Sequence, residues 1–262
     1  MSGNAGMQPL LVASDLSKYY GDTVGCRDVS FELFPGEVLG IVGESGSGKS
    51  TLLNCLSAQI KPSFGSIRFD TRMRGLTDIF GLSEPERRLL MRTDWGIVHQ
   101  NPRDGLRMTV SAGGNVGERL MAAGARHYGA IRGEAVDWLT KVEIDVDRID
   151  DQPRTFSGGM QQRLQIARIL VSKPRLVFMD EPTGGLDVSV QARLLDLLRG
   201  LVRDLGIAAV VVTHDLAVVR LLADRLMVMR DGAVVESGLT DQVLDDPHHA
   251  YTQLLVSAVL QA

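Results

Sequence analysis

Residues 38–50 of the chain read VLGIVGESGSGKS. The first five form a continuous apolar run, which is typical of a central strand in a parallel sheet. The next eight, residues 43–50, match the pattern GxxxxGK[ST], and a helical pattern follows over residues 50–60. Strand, glycine-rich loop and helix in this order predict a loop that binds phosphate groups at the N-terminus of a helix.

The residue types within this loop indicate what it binds. Its glycines allow backbone N–H groups to turn toward phosphate oxygens, and the dipole of the helix favours negative charge there. Lys49 is expected to reach the β- and γ-phosphates of ATP and to take part in catalysis, while the Ser50 hydroxyl is expected to coordinate Mg²⁺. The nucleotide-binding residues predicted in this segment are Gly43, Glu44, Ser45, Gly46, Ser47, Gly48, Lys49, Ser50 and Thr51.

A second apolar run, residues 176–179, ends in the acidic pair Asp180 and Glu181. The run predicts a buried strand that delivers both carboxylates to the carboxyl edge of a parallel sheet. There Asp180 is placed to hold Mg²⁺ through water, and Glu181 is placed to polarise the water that attacks the γ-phosphate. Together with the phosphate loop, this pair predicts a site that hydrolyses ATP with the help of Mg²⁺.

Length and composition set limits on the class of protein. The chain has 262 residues, which fits one large domain or one domain with an inserted subdomain. Its formal net charge of −4 gives no general attraction to nucleic acid, so no direct nucleic-acid partner is expected. No stretch approaches the roughly 20 apolar residues that span a bilayer, and the N-terminus lacks the pattern of a signal peptide. We therefore expect a soluble, cytoplasmic protein that reaches a membrane only through a partner.

Residues 156–163 read FSGGMQQR. Ser157 followed by Gly158 and Gly159 predicts a second helix N-terminus that is able to bind an anion. The segment resembles the signature sequence of the ATP-binding-cassette (ABC) ATPases. In that family two subunits pair head to tail, and each signature helix caps the ATP bound to its partner. The resemblance thus implies a homodimer that forms on ATP binding, with Ser157, Gly158 and Gly159 as nucleotide contacts.

The same resemblance assigns catalytic and metal-binding roles. Gln100 matches the Q-loop glutamine, which senses Mg²⁺ or the γ-phosphate in the family. His214 follows an apolar, strand-like run and matches the switch histidine that contacts the γ-phosphate. The expected catalytic residues are Glu181, His214 and Lys49, and the expected metal ligands are Ser50, Gln100 and Asp180.

Two further positions complete the nucleotide site that the resemblance implies. Residues 184–187 read GGLD and resemble the D-loop, which crosses the dimer interface and includes Asp187 here. Tyr20 is similar to the aromatic residue that stacks on adenine, and the neighbouring Tyr19 remains an alternative. With Gln100 these residues join the expected nucleotide contacts.

The resemblance covers residues 10–253 and implies a fold. We expect an α/β P-loop NTPase fold of ABC type, with a parallel-sheet RecA-like core, an N-terminal antiparallel β subdomain and an inserted α-helical subdomain. A single ABC ATPase domain is expected over residues 8–258, with the helical subdomain at about residues 101–174. The chain departs from the common signature at Phe156 and Met160, which both occur in the branch of peptide-importer ATPases, so activity is still expected.

Partner identity is expected to reside in residues 101–156, because importers of this family grip their permease through the helical subdomain. This stretch closely resembles the ABC subunits of bacterial carbon–phosphorus lyase systems, which degrade phosphonates. The C-terminal residues 245–255 resemble the same subunits and, in part, oligopeptide and nickel importer ATPases. The leading hypothesis is an ATPase that docks on the subunits of a soluble lyase core complex and remodels it.

Two other hypotheses stay open at this point. The first is the ATPase of an importer for phosphonate, peptide or nickel, which energises a membrane permease. The second is a nucleotide-binding module that does not hydrolyse ATP, and the presence of Glu181 and His214 argues against it. The identity of the co-purifying partner discriminates between the enzyme complex and the permease.

Local patterns give expectations for several other segments. Residues 50–60 are expected to form one helix, and loops are expected near residues 113–114 and over residues 145–153. Residues 231–232 read DG and predict a two-residue hairpin turn. These expectations depend on short-range signals only.

Two residue pairs receive structural interpretations. Cys26 and Cys55 form no CxxC pair, so we expect packed thiols and a reducing compartment, without a disulfide or zinc site. His248 and His249 have the composition of a metal site, but a polar turn before the last helix is the favoured interpretation.

Overall fold

The computed structural model describes residues 7–259. The chain folds into two compact units. The first unit contains residues 7–87 and 208–259, and the second contains residues 88–207. None of the helices within residues 7–259 has the length and apolar character that crossing a bilayer requires.

The strands are β1 Leu11–Tyr20, β2 Thr23–Leu33, β3 Val38–Val42, β4 Phe64–Thr71, β5 Gly75–Asp78, β6 Trp95–Val98, β7 Leu176–Asp180, β8 Ala208–Thr213, β9 Arg225–Arg230 and β10 Ala233–Leu239. The α-helices are α1 Lys49–Leu56, α2 Glu84–Thr93, α3 Pro102–Gly105, α4 Ala112–Ala122, α5 Tyr128–Lys141, α6 Gly158–Leu170, α7 Val188–Leu205, α8 Leu216–Leu222, α9 Thr240–Asp245 and α10 Ala250–Val259. Two short 3₁₀ helices cover Val146–Arg148 and Pro153–Thr155.

The first unit contains an antiparallel sheet and a set of parallel strands. The antiparallel sheet has the order β2-β1-β4-β5 and corresponds to the N-terminal antiparallel β subdomain that the resemblance implies. In the second set, β3 pairs in parallel with β8 on one side and with β9 on the other, and β10 continues β9 as an antiparallel hairpin. Because β3 is flanked on both sides, all five of its residues are buried, which explains its continuous apolar sequence.

The second unit combines one parallel strand pair with a helical bundle. Strands β6 and β7 pair in parallel, and Trp95 of β6 lies edge-on to Phe178 of β7 with ring centroids 5.3 Å apart. Helices α4, α5 and α6 pack on one another. Trp138 and Leu139 of α5 and Leu164 of α6 are fully buried, so they anchor the helical core.

The helix after the phosphate loop is shorter than predicted, which corrects the sequence-based expectation. It ends at Leu56, because the backbone of Ala58 adopts a left-handed conformation with φ of 58°. The N–H groups of Gln59 and Ile60 both donate to the carbonyl of Asn54, which closes the turn. Pro62 follows, so the helix has no route to continue.

A second correction concerns Gly113 and Gly114, where a loop was expected. Both residues lie in the first turn of α4. Ser111 caps this helix, since its hydroxyl accepts the N–H of Gly114 at 3.2 Å. The cap outweighs the low helix propensity of the two glycines.

The two cysteines are free and buried in the first unit, as expected. The hydrogen bond between the two thiols and their burial both raise the pKa of the Cys55 thiol. The turn at His248 and His249 is held by their N–H groups, which donate to the carboxylate of Glu236 at 2.8 and 3.0 Å. This hydrogen bonding accounts for the polar turn before α10.

Candidate functional site

The glycines of the phosphate loop are required by close backbone contacts. Gly48 has φ of 100° and caps the N-terminus of α1, and a Cβ atom there would lie 2.1 Å from the carbonyl oxygen of Gly25. Gly43 has φ of 153°, and a Cβ atom there would lie 2.2 Å from the carbonyl oxygen of Met229. Both contacts are far inside van der Waals distance, so only glycine fits at these two positions.

The side chain of Lys49 folds back over the phosphate loop. Its ammonium group donates to the carbonyl oxygens of Gly43 at 2.8 Å and Glu44 at 2.7 Å, and to the Ser47 hydroxyl at 3.4 Å. The residue is only 7% exposed, whereas Ser45, Gly46 and Ser50 around it are exposed. The loop therefore presents a buried cation beside solvent-facing backbone, an arrangement suited to an anion.

Neighbouring elements hold the loop in this shape through contacts that the sequence did not reveal. Gly232 lies in the hairpin turn between β9 and β10, and its N–H donates to the carbonyl of Ser47 at 3.1 Å. The carbonyl of Gly232 accepts the N–H of Arg27. The hydroxyl of Tyr251, in α10, accepts the N–H of Glu44 at 3.0 Å. No local sequence signal marks such long-range contacts.

The two candidate adenine-stacking residues have different surroundings. A Cβ atom built on Gly25 would contact the ring of Tyr20 at 3.0 Å and the methyl group of Thr51 at 2.7 Å, so Tyr20 lies beside α1. The ring of Tyr19 instead packs edge-on against the ring of Phe64, with the ring centroids 6.1 Å apart. Tyr20 is 51% exposed and therefore available to a ligand.

His214 lies next to the phosphate loop in the strand order. Val42 and Thr213 are paired across β3 and β8, and Gly43 and His214 are the residues that directly follow them. The side chain of His214 is exposed. The first unit thus brings together the phosphate loop, Tyr20 and His214.

In the second unit, β6 and β7 bring Gln100 and the acidic pair to one strand edge. Val98 pairs with Met179, so Gln100 and Glu181 each lie two residues beyond this pair. Glu181 has φ of 44°, a strained backbone conformation for a residue with a Cβ atom, and its carbonyl accepts the N–H of Gly184 at 2.9 Å. Strain of this kind is concentrated at functional sites.

The signature segment opens α6 as the sequence predicts. The Ser157 hydroxyl caps the helix by accepting the N–H of Met160 at 3.3 Å, and Ser157 and Gly158 are exposed. A cavity of about 380 Å³ lies between Gln100, the start of α6 at Gly158, and residues 184–186. The second unit thus places Gln100, the start of α6 and residues 184–186 around one cavity, and Asp187, the N-cap of α7, is exposed.

Known proteins are similar to this chain in sequence. A family model described as ABC transporter matches residues 26–184. The chain is 68% identical to the putative phosphonates utilization ATP-binding protein PhnK of Escherichia coli K12, over 97% of this chain and 99% of that protein. It is 38% identical to the dipeptide transport ATP-binding protein DppF of the same organism, over 96% of this chain and 76% of that protein.

A solved structure agrees with the sequence relatives. It is a dimer of the ATP-binding cassette MJ0796 in a post-hydrolysis state, bound to ADP and phosphate. It matches with a TM-score of 0.78 and 30% identity, over 88% of this chain and 98% of that chain. The expected α/β fold of P-loop NTPases is therefore confirmed. The chain belongs to the ABC transporter family and is an ABC ATPase, which binds and hydrolyses ATP.

Proposed function

We propose that residues 43–51 bind the phosphates of ATP and that Glu181 prepares the attacking water. The observation that carries this proposal is the position of Lys49, whose ammonium group is already bound to the carbonyls of Gly43 and Glu44 inside the loop. Phosphate oxygens are stronger acceptors than these carbonyls, so Lys49 exchanges part of this set for the β- and γ-phosphates. The exposed N–H groups at the start of α1 bind the remaining phosphate oxygens.

The other residues orient the nucleotide and the water. Tyr20 stacks on adenine, which its exposure and its place beside α1 favour over Tyr19. Glu181 accepts a hydrogen bond from the water that attacks the γ-phosphate, and His214 donates to the γ-phosphate. Gln100 contacts the γ-phosphate or the metal ion beside it.

Ser50, Gln100 and Asp180 fit a Mg²⁺ ion by their chemistry. Each offers a hydroxyl, amide or carboxylate oxygen, and Mg²⁺ prefers oxygen ligands and is usually bound by one or two carboxylates together with substrate phosphates. When bound, the ion neutralises the charge that develops on the phosphates during transfer.

We infer that the active form is a head-to-tail homodimer with two ATP molecules at its interface. Ser157 and Gly158 are exposed at the N-terminus of a 13-residue helix, which gives an anion-binding end for the nucleotide of the second copy. Asp187 lies on the exposed segment before α7 and contacts the partner there. The dimer of MJ0796 supports this arrangement by analogy.

We further propose that the chain is the ATPase of a phosphonate utilisation system and drives conformational change in a soluble carbon–phosphorus lyase complex. The support is the 68% identity with the Escherichia coli phosphonates utilization protein along almost the whole of both chains. ATP favours the closed dimer and hydrolysis opens it, so a docked enzyme complex follows this motion. Identity to the dipeptide transport protein is 38%, which makes the importer the weaker candidate.

A trapped complex tests this proposal. The Glu181→Gln variant is expected to bind ATP, to lose turnover and to hold the dimer closed together with its partner. Purification of tagged Glu181→Gln from its native host, with wild type in ADP as the control, should recover soluble lyase subunits. Recovery of an integral-membrane permease without lyase subunits would establish the importer instead.

The Lys49→Ala variant and the turnover of Glu181→Gln test the roles within the site. Lys49→Ala removes the cation of the phosphate loop and is expected to abolish ATP binding, while the far-UV circular dichroism stays that of wild type. Hydrolysis at the wild-type rate in Glu181→Gln would refute the role proposed for Glu181.

A further inference from the structure

Helix α6 carries two buried glutamines beyond its signature turn. Gln162 is 2% exposed and Gln165 is fully buried. They are three residues apart and therefore lie on the same face of the helix. A buried carboxamide is stable only if its donors and acceptor find partners, so the partners of these two side chains show what the helix is attached to.

Gln165 binds both backbone groups of one residue, His99. Its Oε1 accepts the His99 N–H at 2.8 Å, and its Nε2 donates to the His99 carbonyl at 3.1 Å. The second hydrogen of Nε2 is donated to Oε1 of Gln162 at 3.1 Å. Both donor hydrogens of the Gln165 amide are thus used, and the side chain fixes the backbone orientation of His99.

Gln162 continues this chain of hydrogen bonds. Its Nε2 donates to the carbonyl of Pro182 at 2.9 Å and lies 3.5 Å from the carbonyl of His99. One connected set of buried amides therefore joins the backbone at His99 to the backbone at Pro182. Fully satisfied networks of this kind hold their members in a single arrangement.

The two backbone sites are the neighbours of two proposed site residues. His99 directly precedes Gln100, and Pro182 directly follows Glu181. Glu181 has φ of 44°, and a strained residue of this kind persists only where its surroundings determine its conformation. The hydrogen bond from Gln162 to Pro182 and the one from Gly184 to the Glu181 carbonyl provide that constraint from the following residues.

The packing around Gln165 leaves no room for its side-chain amide to take another position. A Cβ atom on Gly105, at the end of α3, would lie 2.2 Å from Gln165 Oε1. The α3 backbone is also bound to α6, because the Arg168 guanidinium donates to the Gly105 carbonyl. The Gln165 amide is therefore confined between α3 and the end of β6.

We propose that Gln162 and Gln165 are positioning residues for ATP hydrolysis, which tie the signature helix to the backbone beside Gln100 and Glu181. Any shift of α6 on binding of a nucleotide at its N-terminus is then transmitted through the two glutamine side chains to Gln100 and Glu181. ATP binding depends on the phosphate loop and is left intact. This inference rests on the proposed roles of Glu181 and Gln100.

The test compares two fully buried amide side chains that bind the backbone of different residues. Asn115 is fully buried in α4, and its side chain also binds the N–H and the carbonyl of one residue, Arg107, which is adjacent in the chain to neither Gln100 nor Glu181. Gln165→Leu and Asn115→Leu each remove such a clamp. We measure kcat, KM for ATP and ATP affinity for the purified full-length variants, together with urea unfolding.

Gln165→Leu is expected to lower kcat by between about tenfold and about a hundredfold, since small displacements of catalytic groups have effects of this size. Its ATP affinity is expected to stay within about twofold of wild type, as for loss of an interaction that acts in the transition state. Asn115→Leu is expected to lose comparable stability while keeping its kcat within about twofold. Wild-type kcat in folded Gln165→Leu, or an equal kcat loss in Asn115→Leu, overturns the proposal.

Two further variants keep the test decisive. Gln165→Glu has nearly the same shape and keeps the acceptor for the His99 N–H, but as a carboxylate it has no hydrogen to donate to the His99 carbonyl or to Gln162. If Gln165→Leu does not fold, Gln165→Glu replaces it with the same expected split between kcat and affinity. Glu181→Gln, measured in parallel, distinguishes failure of the proposed catalytic site from failure of the positioning role. Normal turnover in Glu181→Gln refutes the proposed site. Normal turnover in the Gln165 variants alone refutes only the positioning role.

Discussion

The hydroxyl oxygen of Tyr251 accepts the backbone N–H of Glu44 at 3.0 Å, so the last helix of the chain is hydrogen-bonded to the phosphate loop. Tyr251 is only 4% exposed, and the Arg230 guanidinium lies 5.0 Å from its ring centroid. The carbonyl of the same Glu44 accepts the ammonium group of Lys49 at 2.7 Å. One residue of the loop thus connects α10 to the lysine that is proposed to bind phosphate.

Removal of this hydroxyl gives the first prediction. Tyr251→Phe keeps the packed ring but leaves the N–H of Glu44 without its acceptor, which is worth about 1 kcal/mol for a neutral hydrogen bond. We expect ATP affinity to fall by roughly threefold to tenfold, because each 1.4 kcal/mol is a factor of ten. Fluorescent-ATP titration measures the change. Tyr128→Phe, which alters a 72% exposed tyrosine on α5, is the matched control and should bind ATP like wild type.

A second prediction concerns backbone space at Gly48. Gly48→Ala places a Cβ atom 2.1 Å from the Gly25 carbonyl at φ of 100°, so the loop must move away from β2. We expect a loss of about 2–3 kcal/mol of stability, typical of overpacking combined with backbone strain, and loss of ATP binding. Thermal unfolding with and without ATP reports both effects.

Gly75→Ala provides the control for strain alone. Gly75 has φ of 64°, but a Cβ atom there meets only two atoms, at 4.0 Å each. We expect a cost of about 1 kcal/mol and unchanged ATP binding. If Gly48→Ala bound ATP as tightly as Gly75→Ala, the close contact with Gly25 would not be important for ATP binding.

A third prediction follows from the carboxylate that holds the turn before α10. Burial tends to raise the pKa of Glu236, but the nearby Thr252 side chain and the N–H groups of His248 and His249, which donate to its carboxylate, outweigh it, so the pKa lies below its usual value of 4.5. A carboxyl whose pKa is lower in the folded state stabilises the fold above its unfolded pKa and loses this contribution as pH falls through the folded value.

The Glu236→Gln variant tests this linkage. Its neutral amide accepts these N–H groups more weakly, so we expect a loss of about 1 kcal/mol of unfolding free energy at pH 7, the size of a helix cap. The difference from wild type should shrink as pH falls from 4.5, where Glu236 is protonated in the unfolded chain, toward the lower pKa of the folded state. Urea unfolding from pH 7 down to pH 4 measures it, and a difference that is constant across this range contradicts the role of the charge.

Local sequence signals predicted much of this fold. The β3 strand, the phosphate loop and the N-cap at Ser157 each depend on residues that are adjacent in the chain. The turn at Asp231 and Gly232 is confirmed as well, because both residues have positive φ, of 50° and 80°, as a tight hairpin requires.

Other elements were missed although a signal was present. Helix α2 was not predicted, yet the Glu86 side chain reaches back to its start as in one half of a capping box, since the Ser83 N–H and hydroxyl both donate to the Glu86 carboxylate. These two bonds lower the pKa of Glu86. The pattern S-x-x-E at residues 83–86 would have marked the start of the helix.

The remaining parts of the candidate site are beyond sequence reasoning, because they depend on contacts between distant residues. Tyr251 and Glu44 are 207 residues apart, and Gln165 and His99 are 66 apart. A glutamine on the buried face of a helix and a tyrosine near the end of a chain carry no pattern of their own. Only the folded chain shows which backbone groups they hold.

The last prediction concerns the signature turn. Ser157→Arg places a long cation at the N-terminus of α6, where the helix dipole disfavours positive charge and where the nucleotide of the second copy is proposed to bind. We expect ATP hydrolysis to be lost while the monomer binds ATP as tightly as wild type, since the phosphate loop is untouched. Turnover assays measure hydrolysis and ATP titration measures binding. Gel filtration of the protein in the Glu181→Gln background measures dimerisation.

Ser157→Ala separates this effect from the loss of the helix cap. It removes the hydroxyl that accepts the Met160 N–H, at a cost of about 1 kcal/mol, but it leaves the helix end open to an anion. We expect it to keep most of its turnover and to dimerise with ATP, unlike Ser157→Arg. If Ser157→Arg hydrolysed ATP at the wild-type rate, the signature helix would not complete a shared site, and each subunit would hydrolyse ATP alone.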